Sequence, residues 1–91
     1  MPRVIVTAKV EDAAAWEKGF RTHGDLFREQ TTTAIDFTVT NENEVAIHLE
    51  MDNLDKFLEL MESPATAEAM ESDGVKRETV KIFVLDKEFD L

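Results

Sequence analysis

Ninety-one residues with 43% hydrophobic content are enough for one domain around a single modest core, which excludes a disordered chain. Acidic residues outnumber basic ones 20 to 10, and the resulting charge of -10 repels phosphate backbones and anionic lipid; with the basic residues scattered, a nucleic-acid-binding surface is excluded too. There is no cysteine, so disulfides, thiolate nucleophiles and thiolate metal sites are absent, which fits a reducing cytosol.

Met1-Pro2-Arg3 runs straight into Val4-Ile5-Val6 and then Glu11-Asp12, without the long apolar region and small-residue cleavage site of a signal peptide. The longest apolar runs are strand-sized, too short for a transmembrane helix. The expectation is a complete, cytoplasmic chain forming one domain over residues 1–91.

Residues 3–10 alternate Val4, Val6, Ala8 and Val10 against Ile5, Thr7 and Lys9, the pattern of a strand with one apolar face. Asp12 is suited to cap a helix running to Gln30, its charge matching the positive end of the helix dipole. In that segment Trp16, Phe20, His23 and Phe27 recur at gaps of four, three and four. At 100° per residue they fall within about 60° of one another, an apolar stripe that holds one imidazole. Gly19 and Gly24 flank the stripe, and a helix-interior glycine costs about 1 kcal/mol relative to alanine, which points to a packing or ligand reason for both.

Thr31-Thr32-Thr33 ends the helix, because β-branched residues lose rotamer freedom in helical geometry. Residues 34–40 and 44–51 then alternate as two strands joined by Asn41-Glu42-Asn43, a hairpin loop in which Asn43 tolerates the left-handed conformation. Pairing Thr40 with Glu44 sets Val39 opposite Val45, Phe37 opposite Ile47 and Ile35 opposite Leu49 on one face. The same register sets Asp36 opposite His48 on the other face.

Asp52 or Asn53 caps a second helix, in which Leu54, Phe57, Leu58 and Met61 have the i, i+3, i+4, i+7 spacing. Pro64 interrupts it. Ser63 as N-cap with Pro64 at the first position restarts a helix through Glu71, and Asp73-Gly74 stops it. Residues 79–86 form a last strand, apolar on both faces and therefore expected to be buried on both; Phe89 in the polar tail is a residue that could dock. The order strand, helix, strand, strand, helix, strand predicts a four-stranded antiparallel sheet with both helices on one face, the ferredoxin-like α+β fold.

The run Val-Thr-Ala-Lys-Val-Glu-Asp-Ala-Ala-Ala-Trp-Glu-Lys-Gly-Phe-Arg-Thr-His resembles the opening of small dimeric α+β barrel proteins related to the antibiotic biosynthesis monooxygenases. There a strand leads into a helix carrying Trp, Phe and His at this spacing. Phe57-Leu58 through Ser63-Pro64 to Ala69-Met70, then Gly74-Val75, resembles their second half. The resemblance implies a homodimer of ferredoxin-like domains. The wider superfamily spans cofactor-independent monooxygenases, haem-degrading enzymes, polyketide cyclases and muconolactone-type isomerases, and fold alone does not choose among them. The haem-degrading branch relies on an Asn in the first strand and a Trp in the third. This chain has neither, so haem degradation is disfavoured and no cofactor is expected; it also lacks any tyrosine, one acid-base group used in the oxygenase branch, so quinone-type oxygenation is unsupported.

Two histidines are the candidates for chemistry. His23, on the stripe that faces the sheet, is the candidate general base or ligand anchor, with Trp16, Phe20 and Phe27 as ligand-binding neighbours or simply core. Unpaired in an apolar setting, it would stay neutral and able to accept a proton near pH 7. His48 with Asp36 is a weaker catalytic candidate, half of a dyad with no serine, cysteine or tyrosine placed to complete it. That pair is more simply a structural ion pair at a subunit interface. A metal held by His23, His48 and an Asp has no ligand-spacing motif, and none is expected.

Helices on one sheet face leave Ile5, Ala34, Ala46, Phe83 and Leu85 on the other, among Thr7, Lys9, Asp36 and His48, a patch expected to meet a second copy of the chain. Two functions fit these features. One is a small-molecule site between the first helix and the sheet, taking an apolar or aromatic compound and performing cofactor-independent proton transfer, isomerisation, cyclisation or oxygenation. The other is a non-catalytic dimeric ligand-binding or protein-interaction domain. An apolar pocket containing His23 favours the first, a closed core the second.

Overall fold

The computed structural model describes residues 2–91; Met1, the start of the N-terminal segment considered above, lies outside them. Its elements are β1 (Arg3–Val10), α1 (Ala13–Phe20), α2 (Gly24–Glu29), β2 (Thr32–Val39), β3 (Glu44–Met51), α3 (Leu54–Met61), α4 (Pro64–Ser72) and β4 (Val75–Val84). The strands form one antiparallel sheet in the order β2-β3-β1-β4. This is the ferredoxin-like arrangement that the element order predicts.

Alternation along β1 and β3 sends Val4, Val6, Ala8 and Val10, with Val45, Ile47, Leu49 and Met51, to one buried face. Trp16, Phe20 and Phe57 from the helices complete the same core, so all helices cover that face. The hairpin register is the one the loop length predicts, with Asp36 opposite His48. Asn43 sits at φ 59, its Oδ1 accepting from Ala13 N at 3.0 Å and its carbonyl from Val10 N at 2.9 Å. One loop residue therefore sets the hairpin and ties it to the start of α1.

The caps form as their residue types require. Asp12 Oδ1 accepts from Ala14 N and Ala15 N, Asn53 Oδ1 from Lys56 N, and Ser63 Oγ from Thr66 N. Gly74, at φ +75, ends α4 in the left-handed conformation with its N–H on the Glu71 carbonyl.

Four expectations are corrected. The segment from Asp12 to Gln30 is two helices rather than one. Thr22 turns both its N–H and its hydroxyl onto the Gly19 carbonyl, at 2.9 and 2.6 Å, which closes α1 early. The chain restarts with His23 at the N-cap position, so Gly24 is the first residue of α2 and not a mid-helix glycine. The last strand begins at Val75, four residues before the expected start, because a bulge between Lys76 and Lys81 lets its first half pair with β1. Thr79 spans that bulge, its Oγ accepting from Lys9 N at 2.8 Å and donating to the Lys76 carbonyl at 2.6 Å. Nor is β4 buried on both faces. It is an edge strand, and Ile82, Phe83 and Val84 are exposed. Phe89 is 85% exposed, so among the described residues it is not docked.

Candidate functional site

Breaking the first helix aims His23 sideways. Placed at the junction of α1 and α2, its Nε2–H donates to Asp73 Oδ2 at 2.9 Å, across 50 residues of chain. Asp73 is the C-cap of α4, and its side chain is only 7% exposed, against 24% for that of His23. A carboxylate only accepts, so this contact requires a proton on Nε2, and in the neutral ring Nδ1 is then the nitrogen that carries the lone pair. Gly19 makes the approach possible: a Cβ on that residue would lie 2.1 Å from Asp73 Oδ1. The flanking glycine that the sequence singled out is thus a packing requirement of the histidine's partner.

The pair borders a cavity of about 80 Å³ between the helices and the sheet. Its walls are mostly apolar, with Trp16, Phe20 and Phe27 from the first helical segment, Ile47 from the sheet, and Met61 and Met70 from the second. The aromatic rings form one cluster. Trp16 stacks on Phe20 at 4.6 Å between centroids, and Phe20 meets Phe27 at 5.0 Å and Phe37 at 5.1 Å. Three polar residues other than His23 reach the same cavity: Asp73, Gln30 and Thr66. His23, Leu26 and Ala69 also border a second, open groove between α2 and α4, so they form the wall between the cavity and the outside.

Sequence reasoning placed His23, Trp16, Phe20 and Phe27 together, and they do share this cavity. It missed Asp73, Gln30 and Thr66. For Asp73 no local signal exists, since it meets His23 only through tertiary structure. Gln30 continues the stripe at a gap of three beyond Phe27, and that spacing could have revealed it.

The expectation that His23 is unpaired is corrected by its contact with Asp73, while His48 keeps Asp36 as the looser of the two pairs. His48 Nδ1 lies 3.7 Å from Asp36 Oδ2, beyond hydrogen-bond length, and the Asp36 side chain is 90% exposed. Register makes these two cross-strand neighbours, but neither is packed tightly enough to be locked to the other. They lie on the open sheet face, opposite the cavity, so His23 and His48 cannot share a ligand. Among the described residues no group of three or more His, Cys, Asp or Glu is gathered as a metal site.

The fold defines the class to which this structure is similar: the ferredoxin-like α+β proteins of the antibiotic biosynthesis monooxygenase type. Its neighbours include a provisionally assigned antibiotic biosynthesis monooxygenase from Bordetella bronchiseptica (TM-score 0.74, 14% identity, 97% of each chain covered). SnoaB from Streptomyces nogalater, a cofactor-independent oxygenase, superposes with a TM-score of 0.71 at 14% identity, over 99% of this chain and 95% of its own. A further provisionally assigned monooxygenase, from Caulobacter crescentus, gives 0.70 at 18% identity, over 97% and 90%. No family model matches the chain, and no curated protein matches it in sequence. Among the described residues no helix is long and apolar enough to cross a membrane.

Proposed function

We propose that the chain binds a small, largely apolar organic molecule in the cavity between its helices and sheet, and that His23 exchanges a proton with it. The observation that carries this is the His23–Asp73 pair at the cavity wall. A carboxylate on one ring nitrogen fixes the tautomer and orientation of the imidazole and stabilises the cation formed when the other nitrogen takes a proton. With Nε2 held by Asp73, Nδ1 is the base. The chemistry is cofactor-independent proton removal from an acidic C–H or O–H, the step that begins isomerisation, cyclisation or oxygenation of an aromatic or polyketide-like compound. The fold shared with SnoaB, a cofactor-independent oxygenase, supports this class.

The functional unit in this proposal is a homodimer. The row Asp36, His48, Ile5, Phe83 runs across the open sheet face, and Phe83 is 49% exposed in the single chain. A second copy laid on this face would cover an apolar centre rimmed by polar groups.

A second function is favoured by the cavity's size. At about 80 Å³ it is well below the roughly 300–1,000 Å³ of ligand pockets, and His23–Asp73 also serves as a tie between α2 and α4. A dimeric interaction domain without catalysis has those properties. Thermal-shift measurements against a library of planar aromatic and enolic compounds separate the two. Proton exchange into a compound that stabilises the wild type, lost in His23→Ala, supports the catalytic proposal. No compound stabilising the wild type overturns it.

A further inference from the structure

Gln30 is 1% exposed, lines the cavity and has one half of its amide without a partner. Its Nε2 lies 3.3 Å from Thr66 Oγ1 and 3.9 Å from Met61 Sδ. Which end of the amide faces these two atoms is decided by the threonine. The single hydroxyl proton of Thr66 is committed to the Leu60 carbonyl at 2.6 Å, its shortest contact. Only lone pairs of Thr66 Oγ1 therefore face Gln30, and the thioether of Met61 offers only lone pairs as well. Both demand the NH₂ end. Turning the amide over would set Oε1 against two acceptors. The orientation is fixed, and Oε1 faces away from them with no donor among the described residues. A buried amide oxygen left without a donor is costly, and such atoms are uncommon in native proteins.

Resting on the proposed use of this cavity, we infer that its ligand carries an O–H or N–H donor that meets Gln30 Oε1. The ligand class follows from the two ends of α2. His23 begins the helix and Gln30 follows its last residue, about 10 Å apart at 1.5 Å rise per residue. The rings of Trp16, Phe20 and Phe27 line the same cavity as these two residues. The matching molecule is flat and largely apolar, with a hydroxyl of the phenol or enol type at the Gln30 end and its acidic proton toward His23. The cavity is smaller than the roughly 150 Å³ that admits benzene, so a ring enters by displacing part of the wall. Met61 and Met70, unbranched and flexible, are the side chains able to yield.

The test uses phenol and toluene, which differ by exchange of a hydroxyl for a methyl group, titrated into the full chain with binding read by isothermal calorimetry and by NMR shifts of the cavity residues. Phenol is expected to bind about tenfold or more tightly than toluene, because toluene leaves Oε1 buried without a donor. Gln30→Met, which keeps length and removes the acceptor, is expected to abolish or invert that preference while toluene still binds. Equal binding of the two probes by the wild-type chain overturns the inference and leaves the cavity as a ligand site. Binding of neither overturns both the inference and the proposed function. The wild-type comparison stands without the variant, so a Gln30→Met chain that fails to fold does not remove the test.

Discussion

Gly19 and Asp73 share one volume: the carboxylate of the second occupies the place where a side chain on the first would begin, 2.1 Å from its Oδ1. Substituting Gly19 therefore sets two effects against each other. Alanine gains about 1 kcal/mol of helix propensity, whereas displacing Asp73 forfeits a charge-assisted hydrogen bond worth roughly 1.5–3 kcal/mol. The second effect wins. Gly19→Ala is expected to lower the melting temperature and to release His23 from its partner. Gly24→Ala is the control, since a Cβ there meets only the Arg28 guanidinium at 3.6 Å or beyond. It is expected to be neutral or slightly stabilising in the same thermal unfolding experiment.

Asp73→Asn tests the role of the carboxylate while keeping its shape. An amide can offer its NH₂ to Nε2, which would move the ring proton to Nδ1 and remove the base. The ¹⁵N chemical shifts of His23 are expected to report that change of tautomer. Any proton exchange at the ligand should fall by a factor on the order of 10²–10⁴, the usual contribution of a positioned base. Unchanged exchange alongside an altered tautomer would assign the pair a purely structural role.

Asn43 serves two elements from one left-handed position. Asn43→Ala loses the hydrogen bond to Ala13 N and places a β-carbon residue where φ is 59. A loss of about 1–3 kcal/mol in stability to urea is expected, from the missing cap and the strained backbone together. Asn43→Gly keeps the conformation and should lose less.

On the open sheet face, Phe83→Glu would put a charge at the centre of the proposed subunit contact. Sedimentation equilibrium is expected to show a monomer for this variant and a dimer for the wild type. His48→Ala or Asp36→Ala should weaken the dimer, and His23→Ala should leave it intact while impairing ligand binding. In the isolated chain the effect of His48 and Asp36 on folding should be small, at most about 1 kcal/mol, because an exposed pair 3.7 Å apart is a weak one. A wild-type chain that is monomeric at micromolar concentration refutes the dimer.

Local chemistry was enough to read most of the frame from the sequence. Period-two alternation in β1 and β3, the caps Asp12, Asn53 and Ser63, and the stop at Gly74 all depend on residues within a few positions of each other. The three-residue loop at Asn43 propagates one hydrogen-bond register along the whole hairpin, so Asp36 opposite His48 was legible as well. What required the tertiary structure was every relationship spanning many residues. The periodicity of Trp16, Phe20, His23 and Phe27 persists across a break because the stripe reports which face is buried, not whether the helix is continuous. Thr22 closing onto Gly19 is a choice between hydrogen bonds that hydropathy does not record. β4, apolar on both faces, reads as buried on both, yet it lies at the sheet edge with Ile82, Phe83 and Val84 exposed, because the order in which crossovers return the chain to the sheet leaves it one neighbour. Above all, the partner of His23 lies 50 residues away at the end of another helix, and the unpaired oxygen of Gln30 is defined by a threonine 36 residues on. Sequence spacing encodes direction from a backbone axis, whereas hydrogen-bond partnership between distant segments is decided only once two axes are packed together.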